Sequence, residues 1–301
     1  MDWYRFFPVD TLYFKGAQPM NLGENHTASH IFPPPAHTLL GALRTAVLGQ
    51  QAISIQDYAA DKAPPEIYDA IGKAGGPAPF SVIGPLFMME KENVDTKVAV
   101  IKGRTLKSRL LKVPAIRPIW ARGESGEIVS MGGSWIRSED LEGEDSRIAV
   151  KKVEDFFENE PRTGIALERN GRVREGHLYS FNHSRLKRRV SLVFGADRKL
   201  PLAEKGVLKL GAEQRFGWYE KLAEITMHLK DEGENYLSLS ILEGTPEANE
   251  SVIATGKIQF LGGWDLHAGF HKPMRGFFPA GTVCSKRINS NFIAIKGVEP
   301  C

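Results

Sequence analysis

The sequence predicts a soluble α+β protein, on three observations. Runs with period-two alternation of apolar and polar residues recur from end to end, the clearest being YLSLSILEG at 236–244. One strong helical pattern follows three consecutive prolines, Pro33, Pro34 and Pro35. An Asn170-Gly171 pair lies between two strand-like runs, which is the strongest short-range hairpin signal.

Composition sets the bounds. The 301 residues, 42% hydrophobic and 25% charged, suffice for one large core or two ordinary ones. No run approaches the apolar length that crosses a bilayer, the N-terminus lacks a secretory pattern, and a cytoplasmic location is expected. Two cysteines, Cys284 and Cys301, exclude a disulfide framework and a cysteine zinc site. A net charge of +3 means that affinity for nucleic acid has to come from local clusters.

Taken in order, residues 3–16 are aromatic-rich and predict a strand broken near Pro8, at a sheet edge or at a bend. Residues 17–30 predict a polar loop. The prolines force an extended corner because each lacks an N–H and fixes φ near −65°. Leu39, Leu40, Leu43, Ala46 and Val47 then fall at helical spacing, with Thr38 placed to cap the helix. Gly41 admits a close approach, and Arg44 sits one turn inside, placed to contact a phosphate or an acidic core neighbour. A weaker helix is expected at 65–73 and a buried strand in SVIGPLFMM.

Residues 97–122 are densely basic, with Arg104, Lys107, Arg109 and Lys112 at the centre, and predict a long cationic hairpin. A solvated strand face is one reading. RNA contact is the other, since few acids neutralise the segment. Acidic residues 131–160 predict a linker with short helices and a boundary at Glu160-Pro161, dividing the chain into domains 1–160 and 161–301. LKRRVSLVFG (186–195) predicts a core strand, and VLKLGAEQRFGWY (207–219) another that ends in Gly211, Arg215 and Gly217.

Residues 257–283 predict a glycine-rich loop carrying Gly262, Gly263, Gly269 and Gly281. Lys272 and Arg275 supply cations, and Trp264 with Phe270, Phe277 and Phe278 supply stacking surfaces. Stacking is worth ~1–3 kcal/mol per base, so such a loop can hold single-stranded nucleic acid without reading its sequence. Aromatic anchoring of a surface loop to the core is the plainer alternative.

Four landmarks together resemble one family. FPPPAHTLLGALRT (32–45), RTGIALERNGRVREGHLYS (162–180), LKLGAEQRFGWYE (208–220) and GGWDLHAGFHKPMRGFFPAGTV (262–283) resemble the RAMP superfamily of CRISPR systems. Within it the match is to the third subunit of the type III-B (Cmr) effector complex. Ala212 departs from the family, which more often has a second glycine there. The resemblance implies two modified ferredoxin-like, RRM-like domains packed together, with a protruding β-hairpin and glycine-rich loops. It implies a non-catalytic protein that holds the 5′ tag of the guide RNA (crRNA), meeting target RNA only indirectly and requiring no cofactor. Its neighbours would be the large polymerase-like subunit and the first backbone subunit. Asn21, His30 and Arg215 join the cations and glycines above as expected RNA contacts, and 97–122 is the candidate hairpin.

Other classes compete. A related RAMP group cleaves precursor RNA without metal through an N-terminal histidine, and His26, His30 and His37, with Tyr13 or Lys15, are candidates. His26/His30 and His267/His271 have the four-residue spacing of helical zinc ligands, but Gly23, Asn25 and Gly269 argue against helices there. No Walker loop occurs. A subunit that binds only proteins would bind its partner independently of RNA and salt, whereas phosphate contacts weaken steeply as salt rises.

Overall fold

The computed structural model describes residues 1–16, 27, 28, 30–90, 97–102, 120–122, 128–130, 135–137, 151–223, 232–265 and 270–295. The first stretch of chain forms β1 (Asp2–Pro8), β2 (Thr27–Ala28), α1 (Ala36–Gln50), α2 (Ile55–Ala59) and α3 (Pro65–Ile71). Strands β3 (Val82–Glu90), β4 (Lys97–Lys102), β5 (Trp120–Arg122), β6 (Ile128–Ser130) and β7 (Trp135–Arg137) follow. Next come β8 (Phe157–Leu167), β9 (Val173–Leu186), β10 (Val190–Ala196), β11 (Lys205–Lys209) and β12 (Phe216–Leu222). The C-terminal part holds β13 (Asn235–Ser238), β14 (Leu242–Glu243), α4 (Pro246–Ser251) and β15 (Val252–Ala254). It closes with β16 (Gln259–Asp265), β17 (Phe270–Phe278), β18 (Val283–Cys284) and β19 (Phe292–Ile295).

A seven-stranded antiparallel sheet, ordered β11-β12-β1-β10-β3-β4-β7, organises the molecule. Its strands obey the two-residue period. Tyr4, Phe6, Leu192, Phe194 and Phe87 face one side, where Leu39, Leu43 and Val47 of α1 cover them. Each of these three α1 side chains is fully buried, a contribution of about 1.5–3 kcal/mol apiece. On the other side Trp3, Leu86, Met88 and Val193 meet Leu237, Val283 and Ile293 of a four-stranded sheet ordered β15-β18-β13-β19, together with Leu239 just after β13. The fold is therefore a mixed α/β arrangement of antiparallel sheets.

Several expectations need correction. Pro8 does not mark an edge: β1 is flanked by β10 and β12, and the proline stands at its last position opposite Gly217. Thr38 does not cap α1. Pro35 is the N-cap residue, and its carbonyl accepts from the N–H groups of Thr38 and Leu39. The boundary at Glu160-Pro161 falls inside β8, and the central sheet combines strands from both sides of it. Proline is tolerated there because, among the described residues, β8 pairs only with β9 and is an edge strand. Nor is 131–160 only a linker, since Trp135 of β7 is buried against Phe87 and Phe156. The Asn170-Gly171 hairpin does form, with Gly171 at φ +80° and the Asn170 side chain accepting from the Arg172 N–H.

Candidate nucleic-acid interface

Residues 262–281 are not one loop. Most of them form the β16–β17 hairpin, in which Leu261 pairs with Arg275 and, across a bulge, Gly263 with Lys272. A Cβ on Gly262 or Gly263 would meet its neighbours at ordinary contact distance, so neither glycine is sterically required. Gly281 is different. It takes φ +89° in the turn before β18, where its N–H donates to the Ser238 carbonyl at 2.7 Å. Residues 272–275 are exposed. Arg275 donates to Glu243 of β14 at 2.6 Å, whereas Lys272 has no ion-pair partner among the described residues.

The hairpin meets the proline corner. Pro34 and Pro35 are buried, and a cleft there is lined by Phe32, Pro34, Pro85, Trp135, Gln259 and Ala280. At its rim the exposed His37 ring lies 5.9 Å from the Phe277 ring. Partial burial, and after it the Lys272 charge, hold the His37 pKa below the ordinary histidine value. An aromatic, an imidazole and a lysine ammonium from opposite ends of the chain thus share one surface.

The remaining expected contacts scatter. Arg44 turns toward α2 and α3, donating to the Tyr58 hydroxyl at 2.5 Å and to the Lys73 carbonyl. These partners are neutral, so the acidic core neighbour expected of it is not among them. Gly41 is exposed with open space around it, and nothing described approaches closely. His30 shares a hydrogen bond with Asn159 at 3.1 Å, at the base of the β8–β9 hairpin. Asn21, Arg104, Lys107, Arg109, Lys112, Gly269, His26 and His267 lie outside the described residues, as does the Trp264 side chain. The described ends of the expected cationic hairpin do not pair with each other: β4 pairs with β3 and β7, and β5 with β6.

Arg215 belongs to a charge cluster that sequence reasoning missed. Asp10 accepts from Arg162 and Arg185 at 3.0 Å and from Arg215 at 2.7 Å. Glu160 also accepts from Arg162 and Arg185, and Glu213 lies 3.5 Å from Arg215. Three guanidinium groups therefore face three carboxylates, and the cluster is internally neutralised. Burial alone would raise the Asp10 pKa, but the Thr11 N–H and the bonds from Arg162 and Arg185 hold it far below the carboxylate range. Bonds from Arg185 and then Arg162 hold Glu160 at about 2. Alternating charge in RTGIALERNGRVRE was the one sequence signal available, and it names no partners.

Of the nuclease candidates, Lys15 and His30 face each other across an isolated bridge, where the His30 ring bonds to Asn159, and His37 lies apart at the proline corner. Tyr13 is buried and stacks on His183 at 5.3 Å, away from solvent. Among the described residues, no group of three histidine, cysteine, aspartate or glutamate side chains could hold a metal ion. No described helix is long and apolar enough to cross a membrane.

A model of the family described as CRISPR-associated protein (Cas_Cmr3) matches residues 4–98 and 131–240. A solved chain of a type III-B Cmr-beta assembly bound to cognate target RNA and AMPPnP is similar at TM-score 0.59 and 15% identity, over 94% of this chain and 85% of that one. A chain of the Cmr-beta assembly bound to cognate target RNA is similar at TM-score 0.59 and 17% identity, over 94% and 86%. No curated protein matches the sequence.

Proposed function

Because the chain belongs to the Cas_Cmr3 family of CRISPR-associated proteins, we propose that it is a non-catalytic subunit of a type III-B effector complex that holds the 5′ tag of the guide RNA. The meeting of the proline corner with the β16–β17 hairpin carries this reading. There Lys272 offers a cation with no ion-pair partner among the described residues, His37 and Phe277 offer ring faces, and the cleft beside them is apolar. That combination suits a ribose-phosphate strand with unstacked bases. In this reading the fold comprises two modified ferredoxin-like units, one around the central sheet and one around the C-terminal sheets. The large polymerase-like subunit and the first backbone subunit are its neighbours. Guide–target pairing supplies specificity, and this chain reads backbone and shape.

Residues 103–119 of the expected hairpin lie outside the described residues, and β8–β9 is a second candidate for the protruding hairpin. Its distal part exposes Ile165, Leu167 and Val173 and carries Arg169, Arg172 and Arg174 at the tip. A hairpin of that length and charge suits contact with the start of the guide–target duplex. The solved Cmr-beta chains of similar fold come from assemblies bound to cognate target RNA, which supports a role beside RNA.

Binding of a 5′-tagged guide RNA to Lys272→Ala tests the reading. Removing one phosphate contact weakens binding about tenfold whatever the tag sequence, and flattens the salt dependence by about one ion. Arg275→Ala has the smaller effect, because Arg275 must first leave Glu243. Unchanged affinity and assembly for both variants would remove the tag grip from this surface. Metal-free cleavage of a repeat RNA that is lost in His30→Ala or His26→Ala would replace the reading with the nuclease.

A further inference from the structure

The side of the central sheet turned away from α1 is not fully covered. The C-terminal sheet reaches Trp3, Val193, Leu86 and Leu222 at the end of β12 but leaves the start of β12 and the facing part of β11 open. Trp218 is 56% exposed, Phe216 43%, Val207 42% and Val9 56%. Phe7 on β1 and Val207 on β11 flank Trp218 as its directly paired neighbours. The alternate residues Gly217 and Tyr219 of β12 are buried toward α1, so Phe216 and Trp218 share the open side. These rings need no water-facing role for the fold: the core is complete without them.

We propose that this open side is a base-stacking platform for single-stranded RNA, separate from the tag grip. Three features favour RNA over a protein partner. The exposed set is rich in rings. Phe216 and Trp218 are two residues apart on one strand, a rise of ~6.8 Å that equals two stacking repeats of ~3.4 Å. Next to the rings stands a cation: Lys209 is exposed, pairs with Phe216 across the β11–β12 ladder and has no ion-pair partner among the described residues. The Arg5 guanidinium, 4.4 Å from the Phe7 ring centre, is buried and paired with Glu90 and Glu220, so it supports that ring from beneath and is not open to a phosphate. The patch is also narrow. A stable protein interface buries ~800 Å² on each partner, whereas a strand of RNA needs two or three rings with adjacent cations. The platform sits at the β11–β12 edge of the sheet, while Pro85 and Trp135 at the tag cleft belong to β3 and to β7 at the other edge. The two sites are therefore independent.

Titration of the full chain with an untagged eight-nucleotide oligouridylate tests the platform, with tryptophan fluorescence and RNA anisotropy as readouts. RNA quenches fluorescence that is absent from Trp218→Phe, and that variant still binds. Trp218→Leu keeps an apolar side chain but loses the ring, and its affinity falls about 5- to 100-fold, the range of one stacked base. Both variants are checked for unchanged thermal unfolding. Wild-type affinity in Trp218→Leu, or no binding by the wild type, overturns the platform and leaves the surface to a protein neighbour. Lys272→Ala leaves the Trp218 quench in place, so failure here does not touch the tag grip, nor the reverse.

Discussion

At Gly217 a Cβ would lie 2.2 Å from the Phe7 carbonyl oxygen and 2.6 Å from the Phe6 ring. Only glycine lets β12 come this close to β1, and neither neighbour can shift, because Phe6 is fully buried and the Phe7 carbonyl is backbone. Gly217→Ala is expected to destabilise the protein by about 3 kcal/mol, the upper range for overpacking, measured by urea unfolding. Acid acts at Glu160 and Asp10. Both carboxyls have lowered pKa values, Glu160 through arginine bonds and Asp10 through the Thr11 N–H and arginine bonds, so their stabilisation is complete above the unfolded-state values of 4.5 for Glu160 and 3.8 for Asp10 and is lost as pH falls, for Glu160 toward about 2. Solvent reaches these pairs, which keeps the effect modest. Glu160→Gln is expected to flatten the fall in stability between about pH 5 and pH 2, and an unchanged pH profile would count against the cluster. These residue-scale facts were poorly legible. Asp10 lies 205 positions from Arg215, and no local pattern joins them. Arg44 likewise depends on Tyr58 and Lys73, whose approach needs the helix packing.

Elements were more legible where local chemistry decides them. The helix after the prolines, the strand in SVIGPLFMM and the Asn-Gly hairpin are set by φ restriction, apolar spacing and turn preference. The glycine-rich stretch misled because glycine density reads as loop, while the backbone at Gly262 and Gly263 pairs as a strand. Trp135 misled for the opposite reason: its acidic surroundings hide a short strand that depends on one ring. That ring lies 4.6 Å from Phe87 and 5.5 Å from Phe156, and is 1% exposed. Trp135→Ala is expected to cost about 3–5 kcal/mol, checked by denaturant titration. It is also expected to loosen β7 from β4, seen as faster amide exchange there. A cost below about 1 kcal/mol would mean that β7 is not anchored by this side chain.

At the scale of the molecule, the first and last thirds of the sequence are brought together by the central sheet. β1 lies between β10 and β12, and the C-terminal sheet covers the side of β1, β10 and β3 opposite α1. That arrangement puts the proline corner against the β16–β17 hairpin, and it could not be read from either stretch alone. The most direct test is photo-crosslinking from nucleotides of the 5′ tag in the assembled complex. Crosslinks are predicted in residues 31–37 and 270–281 of this chain. Crosslinks confined to α2 and α3, or to other subunits, would contradict the account.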